Sequence, residues 1–252
     1  MKLTAIFEDV DSLLPDSDKN LILTKSSDFV KYANKDIPLF RGITSPNPKP
    51  VVLSKIRQDR IPVDSPKIGT LLYNEQAKRL YGVDSIRNRC AFASADIKIA
   101  KRYGSPQWIF PTNRTQIFYI PGIVDSFRTL STLTLKFVEI AGKVFQYDIR
   151  RIFTVLEAFI QTHRYNVTLD DLMEEISHYV ELTPEKKGEF KKQIYNLLDE
   201  MLNIVRVSPE NIGVAPIHDA ELLILAQDMV VVNPQYLKYP IHYDMFIEYL
   251  KR

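Results

Sequence analysis

Apolar and polar positions along this chain follow two periods, and their order divides it into four stretches. Residues 1–35 place apolar side chains at helical spacing, with Leu21, Ile22, Phe29, Val30 and Tyr32 following an N-cap cluster at Asp16-Ser17-Asp18. Residues 37–43 read as a first strand. Ser45-Pro46-Asn47-Pro48-Lys49-Pro50 then interrupts regular structure, because proline fixes φ and removes a backbone donor. The pattern predicts a helix next, with Leu71, Leu72, Ala77 and Leu80 inside and Gly82 ending it. A short strand over 91–94 leads into a helix over 95–104 closed by Gly104. Strand-like runs rich in aromatic and β-branched residues recur at 107–110 and 116–120.

The character changes from about 149 to 203, where Ile152, Val155, Leu156 and Phe159, then Leu169, Leu172, Met173 and Ile176, recur at helical spacing. Thr168-Leu169-Asp170-Asp171 and Thr183-Pro184-Glu185-Lys186 are helix starts, the second with proline at the first helical position. Strands resume at 213–216, 221–226 and 229–233, the last two joined by a hairpin-like turn at Gln227-Asp228. An aromatic-rich tail ends in a short helix. The fold class is therefore α+β. Its parts are a helical segment at 1–35, a first core portion at 36–148, a helical subdomain or insert at 149–206, and a second core portion with the tail at 207–252.

Composition adds bounds. The 252 residues suffice for a sizeable core in one domain, or in one domain plus a small subdomain, and 45% hydrophobic with 25% charged residues is ordinary for a globular protein. With 33 basic and 31 acidic residues, net charge selects no partner class; local clustering must decide. One cysteine, Cys90, excludes an intrachain disulfide and reads as a small buried hydrophobe. No apolar run has membrane length and no secretory leader is evident, so a cytoplasmic protein is expected. The four histidines lack metal-ligand spacing, and no P-loop or Rossmann glycine pattern is present.

Three separated segments carry candidate chemistry: Pro38-Leu39-Phe40-Arg41-Gly42, Cys90-Ala91-Phe92-Ala93-Ser94 and Asp219-Ala220-Glu221-Leu222-Leu223-Ile224. Each sets one polar side chain at the edge of an apolar, strand-like run. The order Arg, Ser, Glu resembles the signature of the ADP-ribosyltransferase superfamily. The resemblance covers roughly residues 36–125 and 210–235. It implies a split β-sheet core that binds NAD as a substrate; the flanking N-terminal helices and the helical section 149–206 have no counterpart in the resemblance, and that section reads either as a target-recognition insert or as packing for the sheet. The serine segment reads Phe-Ala-Ser where the family more usually has Ser-Thr-Ser.

The resemblance also implies roles. Arg41 anchors the dinucleotide, since its planar donor fork matches phosphate oxygens. Gly42 beside it lets the backbone approach a ligand closely. Ser94 orders the cleft and supports the carboxylate. Glu221 stabilises the positive charge that develops on the ribose as the nicotinamide leaves. Asp219, two residues before it, stands where the family often has Glu or Gln engaging the acceptor, and 211–218 would be the target-recognition turn, with His218 a candidate contact. Each residue also has a plainer reading: Arg41 in a salt bridge, Ser94 as a helix N-cap, Glu221 as an exposed strand start, and His218 as a surface histidine.

The charged loop 57–66 supplies Arg57 and Arg60 as candidate phosphate contacts, or else an internally paired loop in which Asp59 and Asp64 neutralise them. Arg87 and Arg89 extend this to a basic rim. Tyr103, Trp108 and Phe110 offer faces for stacking on the nucleotide, or they are core. The expected function is mono-ADP-ribosyl transfer from NAD to a macromolecular acceptor, protein or nucleic acid. NAD glycohydrolysis and a non-catalytic nucleic-acid-binding module on the same fold are the alternatives.

Overall fold

The computed structural model describes residues 13–34, 36–59, 65–164, 166–218, 220–238 and 240–252. The chain forms two compact units, one from the described parts of 1–56, 90–124 and 205–252, the other from 57–89 and 125–204.

Among the described residues the first unit is built on eight strands: β1 Phe40–Ile43, β2 Val51–Lys55, β3 Ala91–Ser94, β4 Ser105–Pro111, β5 Gln116–Tyr119, β6 Val205–Val207, β7 Glu221–Leu225 and β8 Asp228–Val232. They form one antiparallel sheet in the order β2-β8-β4-β1-β3-β7-β5-β6. Its pairing is uneven. Strand β1 pairs with β4 from Phe40↔Trp108 to Ile43↔Ser105, and β3 with β7 from Ala91↔Ile224 to Ser94↔Glu221. Between β1 and β3 the register holds at one position, Phe40↔Ser94. Two four-stranded halves therefore part at the centre of the sheet.

Several elements differ from the sequence expectation. The first strand begins at Phe40 rather than at residue 37. Strands β2 and β6 are additional: β2 starts directly after the prolines, and β6 is a three-residue edge strand. β7 and β8 are not a hairpin. They lie in opposite halves, β7 between β3 and β5 and β8 between β4 and β2, and the chain crosses over at Ala226-Gln227. Glu-Leu-Leu-Ile-Leu and Asp-Met-Val-Val-Val are both near-continuously apolar, as suits interior strands, and no Gly or Asn supplies the primed turn of a tight hairpin. Residues 213–216 are not a strand. A 3₁₀ turn occupies Pro209–Val214, with Gly213 so close to the helix before β1 that a Cβ there would sit 2.3 Å from the Tyr32 carbonyl oxygen.

In this unit helices α1 Asp16–Lys25 and α2 Ser27–Tyr32 precede the sheet. Asp16 and Asp18 lie inside the first turn of α1, where they complement the helix dipole, and Pro15 occupies the cap without a side-chain bond. An aromatic cluster fastens the C-terminal helix Tyr243–Lys251 to β4. Trp108 meets Phe246 at 5.2 Å and Tyr243 at 5.4 Å between ring centroids, and Phe110 meets Phe29 at 5.5 Å. Burying each such side chain contributes roughly 1.5–3 kcal/mol. The Tyr243 hydroxyl has no hydrogen-bond partner among the described residues, and burial pushes its pKa up. Tyr243→Phe is therefore expected to stabilise the protein by about 1 kcal/mol and to raise Tm by about 2–4 °C in calorimetry, because it removes an unsatisfied buried group.

The second unit is helical. Its helices are α3 Lys67–Tyr81, α4 Ile86–Arg89, α6 Ser126–Phe145, α7 Phe153–Thr162, α8 Leu169–Ser177 and α9 Pro184–Met201; α5, Ile97–Lys101, belongs to the sheet unit, and the C-terminal helix is α10. Gly82 ends α3 in the left-handed conformation, as its position predicts, whereas Leu80 is exposed. Thr168 and Asp171 form a reciprocal capping box on α8, and Thr183 caps α9 ahead of Pro184. The 20-residue α6 has no counterpart in the expectation. Its Ser and Thr content weakens the helix signal, yet Leu130, Leu133, Phe137, Ala141 and Val144 form a buried stripe, and Phe137 and Phe145 close on Phe190 at 5.4 and 4.7 Å.

Candidate functional site

Strands β1, β3 and β7 are consecutive in the sheet and carry Arg41, Ser94 and Glu221, far apart in sequence, on neighbouring strands. Ser94 and Glu221 are direct cross-strand partners. In an antiparallel ladder this sets their Cβ atoms about 4.5–5.5 Å apart on one face. Phe40, not Arg41, is the residue opposite Ser94, so the pleat starts the Arg41 side chain on the other face of the sheet, and its Nη1 donates to the Phe92 carbonyl oxygen at 2.9 Å. The guanidinium thus spans to β3 where the backbone ladder between β1 and β3 lapses.

Local chemistry fixes each member. Ser94 is buried, and its Oγ accepts a hydrogen bond from the Asp96 N–H at 3.0 Å. It is not the cap of the following helix: Asp96 is, its carboxylate accepting from the Lys98 N–H at 2.7 Å. Glu221 heads β7 and its N–H donates to the Ile123 carbonyl at 2.8 Å, while Leu222, Leu223 and Ile224 behind it are fully buried. Glu221 is half-buried at the head of a strand whose next three residues are buried.

The other candidates fall differently. Gly42 is a packing glycine. A Cβ there would lie 2.1 Å from the Ala100 carbonyl oxygen and 2.8 Å from the Tyr103 carbonyl carbon, so the close approach it permits is that of α5 and its following turn. Tyr103, on that turn, is 60% exposed, while Trp108 and Phe110 are core. His218 is exposed, three residues before Glu221. Asp219, Arg60 and Asp64 lie outside the described residues. Arg57 belongs to the helical unit and pairs with Asp59 at 3.5 Å, both side chains being mostly exposed. Such a pair contributes little to stability. The basic rim loses Arg87, which is buried, donates to Ser126 Oγ at 2.9 Å and lies over the Tyr73 ring. Arg89 remains exposed in the helical unit.

One residue near the site went unnoticed in the sequence. Gln107 is the cross-strand partner of Arg41, is 1% exposed, and donates through Nε2 to Ser105 Oγ at 3.2 Å. A lone amide at the head of Gln-Trp-Ile-Phe was the available signal. The helical unit holds a separate cavity of about 280 Å³ lined by Asn74, Lys78, Asp84 and Thr168 among others. Lys78 is paired there with Asp84 at 2.9 Å, a hydrogen bond that raises its pKa. Among the described residues no three His, Cys, Asp or Glu side chains are grouped to hold a metal, and no helix is long and apolar enough to cross a membrane. In comparisons with known proteins the chain matches no family model, no curated protein and no solved structure.

Proposed function

We propose that this protein is a mono-ADP-ribosyltransferase of the Arg-Ser-Glu type, with a split-sheet core that takes NAD as substrate. The observation that supports the reading is the direct pairing of Ser94 on β3 with Glu221 on β7, with Arg41 on the next strand, β1, where the ladder between the two halves of the sheet lapses. Arg41 holds the dinucleotide by charge-assisted hydrogen bonds to phosphate or ribose oxygens. Glu221 faces the nicotinamide ribose. As the C1′–N bond breaks, its electron pair leaves with nicotinamide and positive charge develops on the sugar. The carboxylate stabilises that charge in a setting less screened than water. The acceptor nucleophile then attacks C1′ and releases its proton. Ser94, held by the Asp96 N–H, positions the carboxylate opposite it.

The test is incubation with NAD labelled on its adenylate portion and a cell lysate, comparing wild type with Glu221→Ala. Label on a macromolecule with wild type alone is the expected result, and nuclease or protease digestion then names the acceptor class. Free ADP-ribose without labelling replaces the transferase with a glycohydrolase. Absence of labelling, of cleavage and of NAD binding overturns the reading.

A further inference from the structure

The charge on the sheet unit is sharply uneven. Residues 37–56 contain Arg41, Lys49 and Lys55 and no Asp or Glu, and residues 97–124 contain Lys98, Lys101, Arg102 and Arg114 and again none, in a chain with 31 acidic residues. Tertiary structure joins these two segments, because β1 pairs with β4 along its whole length. Helix α5 concentrates the effect. The chain leaves the site at Ser94, runs beside β1 as α5, and re-enters the sheet at Ser105 opposite Ile43. The path is tight. Gly42 abuts Ala100 and Tyr103, and Gly104 abuts Ile43 and Thr44, with built Cβ positions 2.1–2.9 Å from those backbones.

This geometry leaves Lys98, Lys101, Arg102 and the Tyr103 ring exposed on α5 and its following turn, the helix starting three residues after Ser94. The acidic residue at its head, Asp96, is engaged as the helix cap. Lys49 is also exposed, on the loop that continues from Ile43 and Thr44. An exposed aromatic ring set among basic side chains matches what single-stranded nucleic acid requires: cations for the phosphates and a π-face for an unstacked base. An acidic peptide would use the cations and leave the ring without a counterpart.

We propose that α5 and its following turn form a docking surface for a single-stranded nucleic acid, with Lys98, Lys101, Arg102 and Lys49 on phosphates and Tyr103 stacked on a base. This rests on the transferase reading of the adjacent site and makes that strand its acceptor. The experiment is fluorescence anisotropy of the full chain with labelled single-stranded DNA and RNA of about 20 nucleotides, without NAD. Four phosphate contacts give a salt slope of about −3, a loss of about 50-fold in affinity as salt rises from roughly 50 to 200 mM. Lys98→Gln with Lys101→Gln removes two contacts and cuts that loss to about sevenfold. Tyr103→Ala weakens binding by about tenfold at every salt concentration and leaves the slope unchanged. An unchanged slope in the double variant, no binding at low salt, or tighter binding of a polyglutamate peptide overturns the proposal. Strand binding without NAD cleavage sinks the transferase reading alone, and NAD cleavage without strand binding sinks this inference alone.

Discussion

Glu221→Gln is expected to lower kcat for NAD cleavage by about 10²–10³-fold while changing KM little, the scale set by removing one preorganised electrostatic group from a developing charge. Glutamine keeps the shape of the side chain, and the backbone bond from the residue 221 N–H to the Ile123 carbonyl does not depend on the side chain. Leu222, Leu223 and Ile224 still hold β7 in register. Loss of rate therefore reports the charge rather than the fold, and an unchanged Tm is the control. The measurement is steady-state release of nicotinamide at saturating NAD. A kcat within a few-fold of wild type would remove Glu221 from the chemistry even if label transfer persisted.

Gly42→Ala is expected to destabilise the protein by about 3 kcal/mol and to lower Tm by about 6–12 °C, since inserting a methyl group into a packed contact forces main-chain displacement. The added Cβ would meet the Ala100 carbonyl oxygen at 2.1 Å, and that atom is backbone, so no rotamer change relieves the overlap. The disturbance lands beside Arg41 and pushes α5 from β1, so NAD binding should weaken in parallel with Tm. Differential scanning calorimetry separates this from a ligand-contact role, which would raise KM and leave Tm where it is.

How much was visible in advance depended on whether the signal was local. The Thr168 and Thr183 helix starts, the Gly82 terminus and strands β3, β7 and β8 were legible because caps, left-handed glycines and apolar runs act over a few residues. Helix α6 was not. Its Ser and Thr residues blur the local preference, and burial of Leu130, Leu133 and Phe137 decides its state. The hairpin expected at Gln227-Asp228 failed for a related reason. Strand propensity says that two runs are extended, and nothing local says which neighbours each will bond.

The sequence by itself determined the α+β class, the order of Arg, Ser and Glu, and the apolar strands that carry them, because periodicity and side-chain type are properties of short stretches. Only the tertiary structure decided that Ser94 sits directly opposite Glu221 and that Arg41 reaches the Phe92 carbonyl where the sheet halves part. It alone made Gly42 a packing residue, buried Arg87 and left the basic face of α5 exposed. Strand partners and burial are set by contacts between residues scores of positions apart, and those contacts exist only once the chain has closed on itself.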